Sequence, residues 1–89
     1  MELKKEPGRI SYTSPEGELL CEITFPDENG VADINHTFVS EKLRGQGMAG
    51  KLVAAAMEQI GERSLKVSAS CSYAAGWLEK HPEFDSIKA

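Results

Sequence analysis

The segment that decides the fold reads Val39-Ser40-Glu41-Lys42-Leu43-Arg44-Gly45-Gln46-Gly47-Met48-Ala49-Gly50, and it joins an extended stretch to an amphipathic one. Its last six residues contain three glycines, and Arg44 stands directly before them. Glycine lets the main chain approach a ligand closely and adopt a positive φ without a Cβ penalty. A glycine-rich loop that leads into a helix presents free amides in front of the positive end of the helix dipole. The segment therefore predicts an anion site, most naturally a phosphate site.

Two nucleotide-binding motifs can also be read from this loop. Gly45 to Gly50 satisfies G-x-G-x-x-G, but the dinucleotide fingerprint needs a strand that runs into its first glycine within a repeated βαβ sheet. Here charged residues separate Val39 from the first glycine, and the chain is too short for two mononucleotide-binding halves. Gly45 to Lys51 satisfies the start of a P-loop, but Leu52 stands where a Ser or Thr would hold magnesium. A nucleotide-binding protein is kept as an alternative, which protection by ATP would reveal.

The residues before the loop predict an antiparallel meander of three strands with two tight turns. The predicted strands are Arg9–Thr13, Glu18–Phe25 and Val31–Val39. In the third strand, four alternate residues are expected to share one side of the sheet. These residues are Ala32, Ile34, His36 and Phe38.

After the loop the apolar spacing becomes i, i+4, which predicts a helix from Gly47 to Ile60 with Gly61 at its C′ position. Leu65–Ser70 predicts a fourth strand, parallel to the third because a helix connects them. Ser72 is expected to cap a second helix, Tyr73–Lys80.

The segment Glu83–Ile87 is expected to form a tail or a short edge strand. The whole pattern is a mixed α/β fold with the order β-β-β-α-β-α. It joins an antiparallel meander to a parallel βαβ pair, with the helices packed on the sheet. Ligands bind beyond the carboxyl ends of parallel strands. The glycine loop and Cys71 are therefore expected at the same edge.

Two segments together resemble the GNAT acetyltransferase superfamily. Arg44 to Ala49 reads R-x-x-G-x-A and resembles the coenzyme A pyrophosphate loop of that superfamily. Cys71 to Phe84 resembles its segment N-x-x-A-x-x-L-Y-E-K-x-G-F, with Cys71 in the Asn position. With His36-Thr37-Phe38-Val39 included, the chain from about Arg9 to Phe84 is similar to the small, single-domain branch called the YjdJ type.

The resemblance implies acetyl-CoA as cofactor and an N-acetyltransferase activity toward an amine. It places the main chain of Phe38 and Val39 beside the pantetheine amides, like an added strand. Arg44 would lie near the pyrophosphate and Lys51 could reach a phosphate. The alternatives are an ion pair between Arg44 and Glu41 and a solvated position for Lys51. The amides that would hold the pyrophosphate are those of Gly45, Gln46, Gly47, Met48 and Ala49.

Two residues are candidates for the chemistry. His36 could take the proton that an amine acceptor loses, because an imidazole pKa of about 6.5 suits a base. Its alternative is a histidine packed in the strand between Ile34 and Phe38. Cys71 is expected directly before a helix N-terminus, where thiol pKa values fall. It could carry the acetyl group covalently, line the cofactor channel, or pack as a small buried hydrophobe.

Other polar and aromatic residues are expected to have structural roles. Cys21 lies mid-strand on the apolar face and is expected in the core, and His81 is expected to cap the second helix. Tyr73 and Trp77 are expected to pack that helix. No metal is expected, because the cysteines and histidines lack metal-site spacing.

The bulk properties favour a single domain, residues 1–89, of ordinary globular composition. A net charge of -4 argues against a nucleic-acid partner, and no segment suggests a signal peptide or a membrane span. Two cysteines without framework spacing are expected as reduced thiols in a cytoplasmic protein. We expect a monomer or weak homodimer.

The expected partners are acetyl-CoA and an unknown amine or protein acceptor. A full GNAT domain has additional helices near its start that help to build the acceptor site, and this chain has a hairpin there. The alternative function is therefore a non-catalytic acyl-CoA-binding or protein-interaction module.

Overall fold

The computed structural model describes residues 2–89, which form strands and helices in a mixed arrangement. The strands are β1 (Lys4–Glu6), β2 (Arg9–Thr13), β3 (Leu19–Thr24), β4 (Asp27–Glu28), β5 (Val31–Ile34), β6 (His36–Val39) and β7 (Lys66–Ala69). The α-helices are α1 (Met48–Glu62) and α2 (Ser72–Glu79), and two 3₁₀ helices span Glu41–Leu43 and Pro82–Ile87. No helix within residues 2–89 is both long enough and apolar enough to cross a membrane.

The strands form two sheets that share a long hairpin. One is antiparallel with the order β1-β2-β3-β6, and the other has the order β4-β5-β7. In the second sheet β5 and β7 are parallel, with Ile34 beside Ala69. The predicted meander and the parallel pair are confirmed. The strand β1, which the sequence did not predict, extends the antiparallel sheet.

Asn35 divides the predicted third strand into β5 and β6. Thr24 pairs with His36, and Asp27 pairs with Ala32. Between these pairs, residues 33–35 on one strand lie opposite residues 25–26 on the other. The extra residue makes a β-bulge. The Asn35 amide donates to the Thr24 carbonyl at 3.1 Å, and the Thr24 hydroxyl donates to Asn35 Oδ1 at 2.5 Å. The bulge bends the hairpin, so that its two halves enter different sheets.

The same bulge reverses which side chains face the core. Ala32 and Ile34 are fully buried, but His36 and Phe38 are exposed. The expectation that these four residues share one side is wrong, because Asn35 shifts the alternation by one residue. His36 and Phe38 therefore lie on the outer face of the antiparallel sheet.

The first helix ends at Glu62, two residues later than predicted, in a Schellman motif. Ser64 has a φ of 56°, its amide bonds the Gly61 carbonyl at 3.1 Å, and the Leu65 amide bonds Ile60 at 3.0 Å. Ser64 is therefore the C′ residue, and the assignment of Gly61 to that position is wrong. Gly61 lies inside the helix.

The second helix and the segment after it also differ from expectation. Cys71 occupies the N-cap position of α2, and Ser72 is its first helical residue, so the predicted cap at Ser72 is wrong. Pro82–Ile87 forms a 3₁₀ helix rather than a strand. Only Lys88 bridges to the sheet, beside Val67 of β7.

Both α-helices pack against one side of the sheets. α1 crosses β2, β3, β6 and β7, and α2 lies against β7 and α1. Leu52, Val53 and Ile60 of α1 are fully buried. Truncation of such a side chain to alanine typically costs about 2–5 kcal/mol for leucine or isoleucine. The inner side of the sheets therefore carries the stability of the fold, and the outer face carries polar side chains.

Candidate active site

The loop between β6 and α1 is a cradle of free main-chain amides. Gly45 and Gly47 have φ values of 83° and 68°, and Gly47 is the N-cap of α1. Within residues 2–89, no amide from Gly45 to Gly50 donates to another protein group, and the first helical bond runs from Lys51 to Gly47 at 3.2 Å. A Cβ added at Gly45 or Gly47 would meet nothing within 4 Å. The loop therefore presents donors toward open space.

A cavity of about 220 Å³ lies in front of this loop. Its walls come from the end of β6, the loop, the first turn of α1 and one residue of α2. They are Val39, Leu43, Arg44, Gly45, Gly47, Met48, Ala49, Gly50 and Tyr73. The structure thus brings most of the predicted cofactor-binding residues around one space.

The cations beside the loop are available to an anion. Arg44 and Lys51 are exposed, and neither forms an ion pair within the described part of the chain. The alternative expected for Arg44, an ion pair with Glu41, is absent from residues 2–89. Lys42, in contrast, bonds Glu18 at 2.6 Å. Gln46 is exposed, and its main-chain amide has no protein acceptor within residues 2–89.

The strand β6 has a free edge that faces away from β3. The Ser40 amide donates to the Leu20 carbonyl at 2.8 Å, so the main chain of Ser40 faces β3. Along an antiparallel strand every second residue forms hydrogen bonds with the same neighbour, and the residues between them face the other way. The main chain of Phe38 therefore points to β3, and the main chains of Thr37 and Val39 point to the free edge. Of the two residues expected to pair with the pantetheine, Val39 therefore faces the free edge and Phe38 faces β3.

Cys71 lies between the end of β7, which pairs with β5, and the start of α2. Its amide donates to the Ile34 carbonyl at 3.0 Å, and its thiol lies 3.6 Å from the Thr37 hydroxyl oxygen. Burial raises the pKa of the Cys71 thiol, but the main chain of Ala74, the Thr37 hydroxyl and the main chains of Tyr73 and Thr37 outweigh it. The net pKa lies below the ordinary value of a thiol, as expected at a helix N-terminus.

Asp33 fixes the chain directly before Cys71, and the sequence did not single it out. Its carboxylate accepts from the Ser68 hydroxyl at 2.8 Å, and from the Ser70 amide and hydroxyl at 3.1 and 2.5 Å. The Ser70 hydroxyl is the main reason that the pKa of Asp33 is lowered. Only the parallel register of β5 and β7, which places Asp33 beside Ser68, reveals this cluster.

His36 lies on the other face of the sheet from Cys71. Its Nε2 is 3.4 Å from Glu22 Oε1, and the Arg9 Nε donates to the same carboxylate at 2.6 Å. Successive side chains of a strand point to opposite faces, and the neighbour of His36, Thr37, points to Cys71. The structure therefore does not bring His36 and Cys71 together. The alternative of a histidine packed in the strand is wrong, because His36 is exposed.

The remaining singled-out residues divide between core and surface. Cys21 is fully buried, as predicted, and burial raises the pKa of its thiol. Trp77 stacks on His81 at 3.6 Å, and the His81 Nδ1 lies 2.7 Å from the Trp77 carbonyl, so His81 caps α2.

Tyr73 is 45% exposed and does not pack as expected. Residues 2–89 hold no cluster of three or more His, Cys, Asp or Glu side chains placed for a metal.

A family model described as GCN5-related N-acetyl-transferase matches residues 9–87. The chain belongs to the GCN5-related N-acetyltransferase family. This confirms the predicted superfamily and the mixed α/β fold. The match does not distinguish branches within the family, so the YjdJ-type assignment stays a prediction.

Two solved structures show how this family member compares with others. A GCN5-like protein from Staphylococcus aureus is 36% identical, with a TM-score of 0.79 over 99% of this chain and 87% of that chain. A GNAT family N-acetyltransferase from Escherichia coli, solved in complex with CoA, is 24% identical. It has a TM-score of 0.59 over 68% of this chain and 38% of that one, which shows a shared fold.

Curated relatives match a shorter part of the chain. NATD1 of Xenopus tropicalis is 36% identical over 50 residues, which is 56% of this chain and 46% of that protein. NATD1 of Homo sapiens is 33% identical over 52 residues, 58% of this chain and 46% of that protein. The chain thus matches about half the length of these relatives.

Proposed function

We propose that this chain transfers an acetyl group from acetyl-CoA to an amine. The observation that carries the proposal is the run of amides from Gly45 to Gly50 at the start of α1, which have no acceptor among residues 2–89. Arg44 and Lys51 lie beside it and form no ion pair with those residues. Amide donors at a helix N-terminus bind a diphosphate through hydrogen bonds and the helix dipole. The open space at Gly45 and Gly47 fits such a group, since side chains there would fill the cradle.

The free edge of β6 supports coenzyme A over a plain nucleotide. A pantetheine arm carries amide groups that can pair with an extended main chain, as a peptide strand does. Thr37 and Val39 offer main-chain groups at that edge, and Val39 also lines the loop cavity. When bound, acetyl-CoA supplies the acetyl thioester. The relative from Escherichia coli that was solved with CoA has the same fold.

Cys71 is proposed to carry the acetyl group between donor and acceptor. Its thiolate attacks the carbonyl carbon of the thioester, a new C–S bond forms at Cys71, and the CoA thiolate leaves. An amine then attacks the acetylated Cys71, so that the C–N bond forms as the C–S bond breaks, and the cysteine thiolate is restored. The lowered pKa of Cys71 supports this role because the thiolate is the nucleophile.

His36 is proposed to receive the proton that the amine gives up. It is exposed on the outer face and held near Glu22, so its ring is oriented and open to solvent. Because His36 lies on the other face from Cys71, the proton reaches it through water rather than by direct contact. This route predicts that loss of His36 alters the pH dependence of amine acetylation and leaves acetylation of Cys71 unchanged.

Mass spectrometry after incubation with acetyl-CoA tests the proposal. The wild type is expected to gain one acetyl group, mapped to Cys71 and removed by hydroxylamine, as a thioester is. Cys71→Ala should gain none, and Cys21→Ala is the matched control that should be acetylated like the wild type. An active Cys71→Ala variant would mean that the amine attacks acetyl-CoA directly. A wild type that fails to bind acetyl-CoA would overturn the whole proposal.

A second candidate is a non-catalytic acyl-CoA-binding module. It is favoured by the outer face of the sheet, where no helix of residues 2–89 encloses an acceptor beside His36 and Phe38. Release of free CoA in the presence of candidate amines separates the two functions. An enzyme releases CoA at a rate that depends on the amine, and a binding module releases none. Thermal protection by ATP, without protection by CoA, would instead support a nucleotide-binding protein.

A further inference from the structure

Asp33 is a carboxylate whose charge is not balanced by a cation of the described chain. Its hydrogen-bond donors, the Ser68 hydroxyl and the amide and hydroxyl of Ser70, are all neutral. It forms no ion pair within residues 2–89. Lys66, on the same face of β7 as Ser68, donates instead to the Ser86 carbonyl at 3.1 Å. Asp33 therefore keeps its negative charge, and its lowered pKa keeps it ionised at neutral pH.

The Asp33 carboxylate lies on the outer face of the sheets, next to the chain that leads into Cys71. Ala32 and Ile34, on either side of Asp33 in β5, are fully buried, so strand alternation directs Asp33 away from the helices. Ser70, which Asp33 holds through two hydrogen bonds, is exposed and directly precedes Cys71. A fixed negative charge therefore stands on the outer face beside the residue that is proposed to carry the acetyl group.

A gap separates β6 from the end of β7, and the Cys71 thiol lies in it. β5 pairs with β7 as far as Ile34 and Ala69, whereas β6 pairs with β3. Within residues 2–89, no hydrogen bond between main-chain groups joins β6 to β7 or to Cys71. The contact of 3.6 Å between the Cys71 thiol and the Thr37 hydroxyl spans the gap. Coenzyme A is proposed to bind on the side of the glycine loop, so the outer face, where His36 lies, is left for the acceptor.

We propose that Asp33 selects an acceptor that carries a positive charge in addition to the amine that reacts. The charged group pairs with the Asp33 carboxylate on the outer face, and the free amine reaches acetylated Cys71 in the gap. Glu22, on the same face, attracts a cation less strongly because the Arg9 Nε already donates to it at 2.6 Å. The acceptor is therefore a free diamine, or a lysine side chain beside a second cation of a peptide. The inference rests on the proposed function and names its acceptor class.

Acetyl transfer to two matched amines tests this selection. Cadaverine has two amino groups, and 5-aminopentanol has a hydroxyl in place of one of them. After correction for its two equivalent amines, cadaverine should have a kcat/KM about fivefold higher with the wild type, the upper range for an exposed ion pair. Asp33→Asn should lose this preference. Glu28→Gln, which removes an exposed carboxylate of β4, is the matched control and should retain it.

The ratio of the two amines separates charge recognition from a structural role of Asp33. A variant that is merely less folded loses activity toward both amines equally, so its ratio stays at the wild-type value. Blocked Lys-Arg and Lys-Gln dipeptides form a second pair, with one reactive amine each. A higher kcat/KM for Lys-Arg than for cadaverine identifies a peptide acceptor, and the reverse identifies a free diamine. Equal rates within both pairs would overturn the inference and leave the proposed acetyl transfer intact.

Charged thiol reagents test the same charge without any turnover. Cationic aminoethyl methanethiosulfonate should modify Cys71 faster than the anionic sulfonatoethyl reagent, and the neutral methyl reagent corrects for thiol reactivity. Asp33→Asn should lower the ratio of the cationic to the anionic rate about fivefold, and Glu28→Gln should not. An unchanged ratio in Asp33→Asn would overturn the inference even if the protein acetylates amines. Failure of the wild type to bind acetyl-CoA would overturn the proposed function and this inference with it.

Discussion

The thiol sulfur of Cys71 lies 3.6 Å from the hydroxyl oxygen of Thr37, which links the start of α2 to the free edge of β6. This contact helps to lower the pKa of the Cys71 thiol. Thr37→Val keeps the shape of the side chain but removes the hydroxyl. We expect the alkylation of Cys71 by iodoacetamide at neutral pH to slow about threefold, as loss of a weak hydrogen bond implies. The rate is followed against pH by mass spectrometry.

Two controls belong to that measurement. Thr37→Ser retains a hydroxyl and should keep the wild-type rate. Cys21 should stay unmodified in the folded protein, because it is fully buried and burial raises its thiol pKa. An unchanged pH profile in Thr37→Val would show that the Thr37 hydroxyl does not stabilise the thiolate.

A charge at Gly47 should abolish the binding of coenzyme A. Gly47 has a φ of 68°, so most substitutions there would strain the main chain. Asp and Asn both tolerate this region and have nearly the same shape. We therefore compare Gly47→Asp with Gly47→Asn. A carboxylate in the cradle repels a diphosphate, so the rise in melting temperature that acetyl-CoA causes should disappear in the Asp variant and persist in the Asn variant.

The same charge placed elsewhere controls for its effect on the fold. Gly17 also has a positive φ, 90°, in the turn before β3, and a Cβ there meets nothing within 4 Å. Gly17→Asp should leave the response to acetyl-CoA intact. Equal responses from Gly47→Asp and Gly47→Asn would count against a diphosphate in the loop.

The glycine loop could be predicted because its signal is local. Glycines at Gly45 and Gly47 followed by an i, i+4 apolar pattern indicate a left-handed entry into a helix, whatever surrounds them. The position of Cys71 could be predicted in the same way, because a strand pattern ends just before it and a helix pattern begins just after it. The parallel pair followed from the helix between two strands. Each of these predictions depends on residues that are close along the chain.

Two features escaped the sequence analysis because they depend on pairing between distant residues. The bulge at Asn35 exists because of how Thr24 and Asp27 pair across the hairpin, and alternation within one strand does not contain that information. The Asp33 cluster likewise needs the register of β5 against β7. His36 and Phe38 lie on the outer face rather than the predicted inner face because the bulge at Asn35 shifts the strand by one residue, and such a shift exchanges its two faces.

The end of α1 gives a stability prediction that separates two interpretations of Gly61. If Gly61 were the C′ residue, alanine would be strained there, but the structure places it inside the helix with open space around a Cβ. Gly61→Ala should therefore raise the free energy of unfolding by about 0.5–1 kcal/mol. For a domain of this size, each kcal/mol raises the melting temperature by about 4–8 °C. Urea denaturation provides the measurement.

Ser64 is the matched position for that experiment. It holds the left-handed conformation at the end of α1, with a φ of 56°. Ser64→Gly should stabilise the protein by relieving this strain. A loss of stability in Gly61→Ala, together with no gain in Ser64→Gly, would contradict the Schellman motif.

The free energy of unfolding should fall at acid pH because the carboxylate of Asp33 becomes protonated. The pKa of Asp33 is lowered in the folded protein, chiefly by the Ser70 hydroxyl, so its carboxylate stabilises the fold fully above the unfolded pKa of about 3.9. This contribution is lost as the pH falls through the folded pKa. Asp33→Asn removes acceptor capacity from Ser68 and Ser70, and we expect it to lower the free energy of unfolding by about 1–2 kcal/mol at neutral pH.

A series of urea denaturations between neutral and acid pH tests this dependence. The gap between the wild type and Asp33→Asn should be constant down to about pH 4 and shrink below it, because the wild-type carboxylate then becomes protonated. Asp85→Asn is the control, since Asp85 forms an exposed pair with Lys88 at 2.7 Å and should matter little at any pH. Because the Ser70 amide that Asp33 holds directly precedes Cys71, Asp33→Asn should also slow the alkylation of Cys71. A gap that stays constant into the acid range would mean that the carboxylate charge of Asp33 does not stabilise this junction.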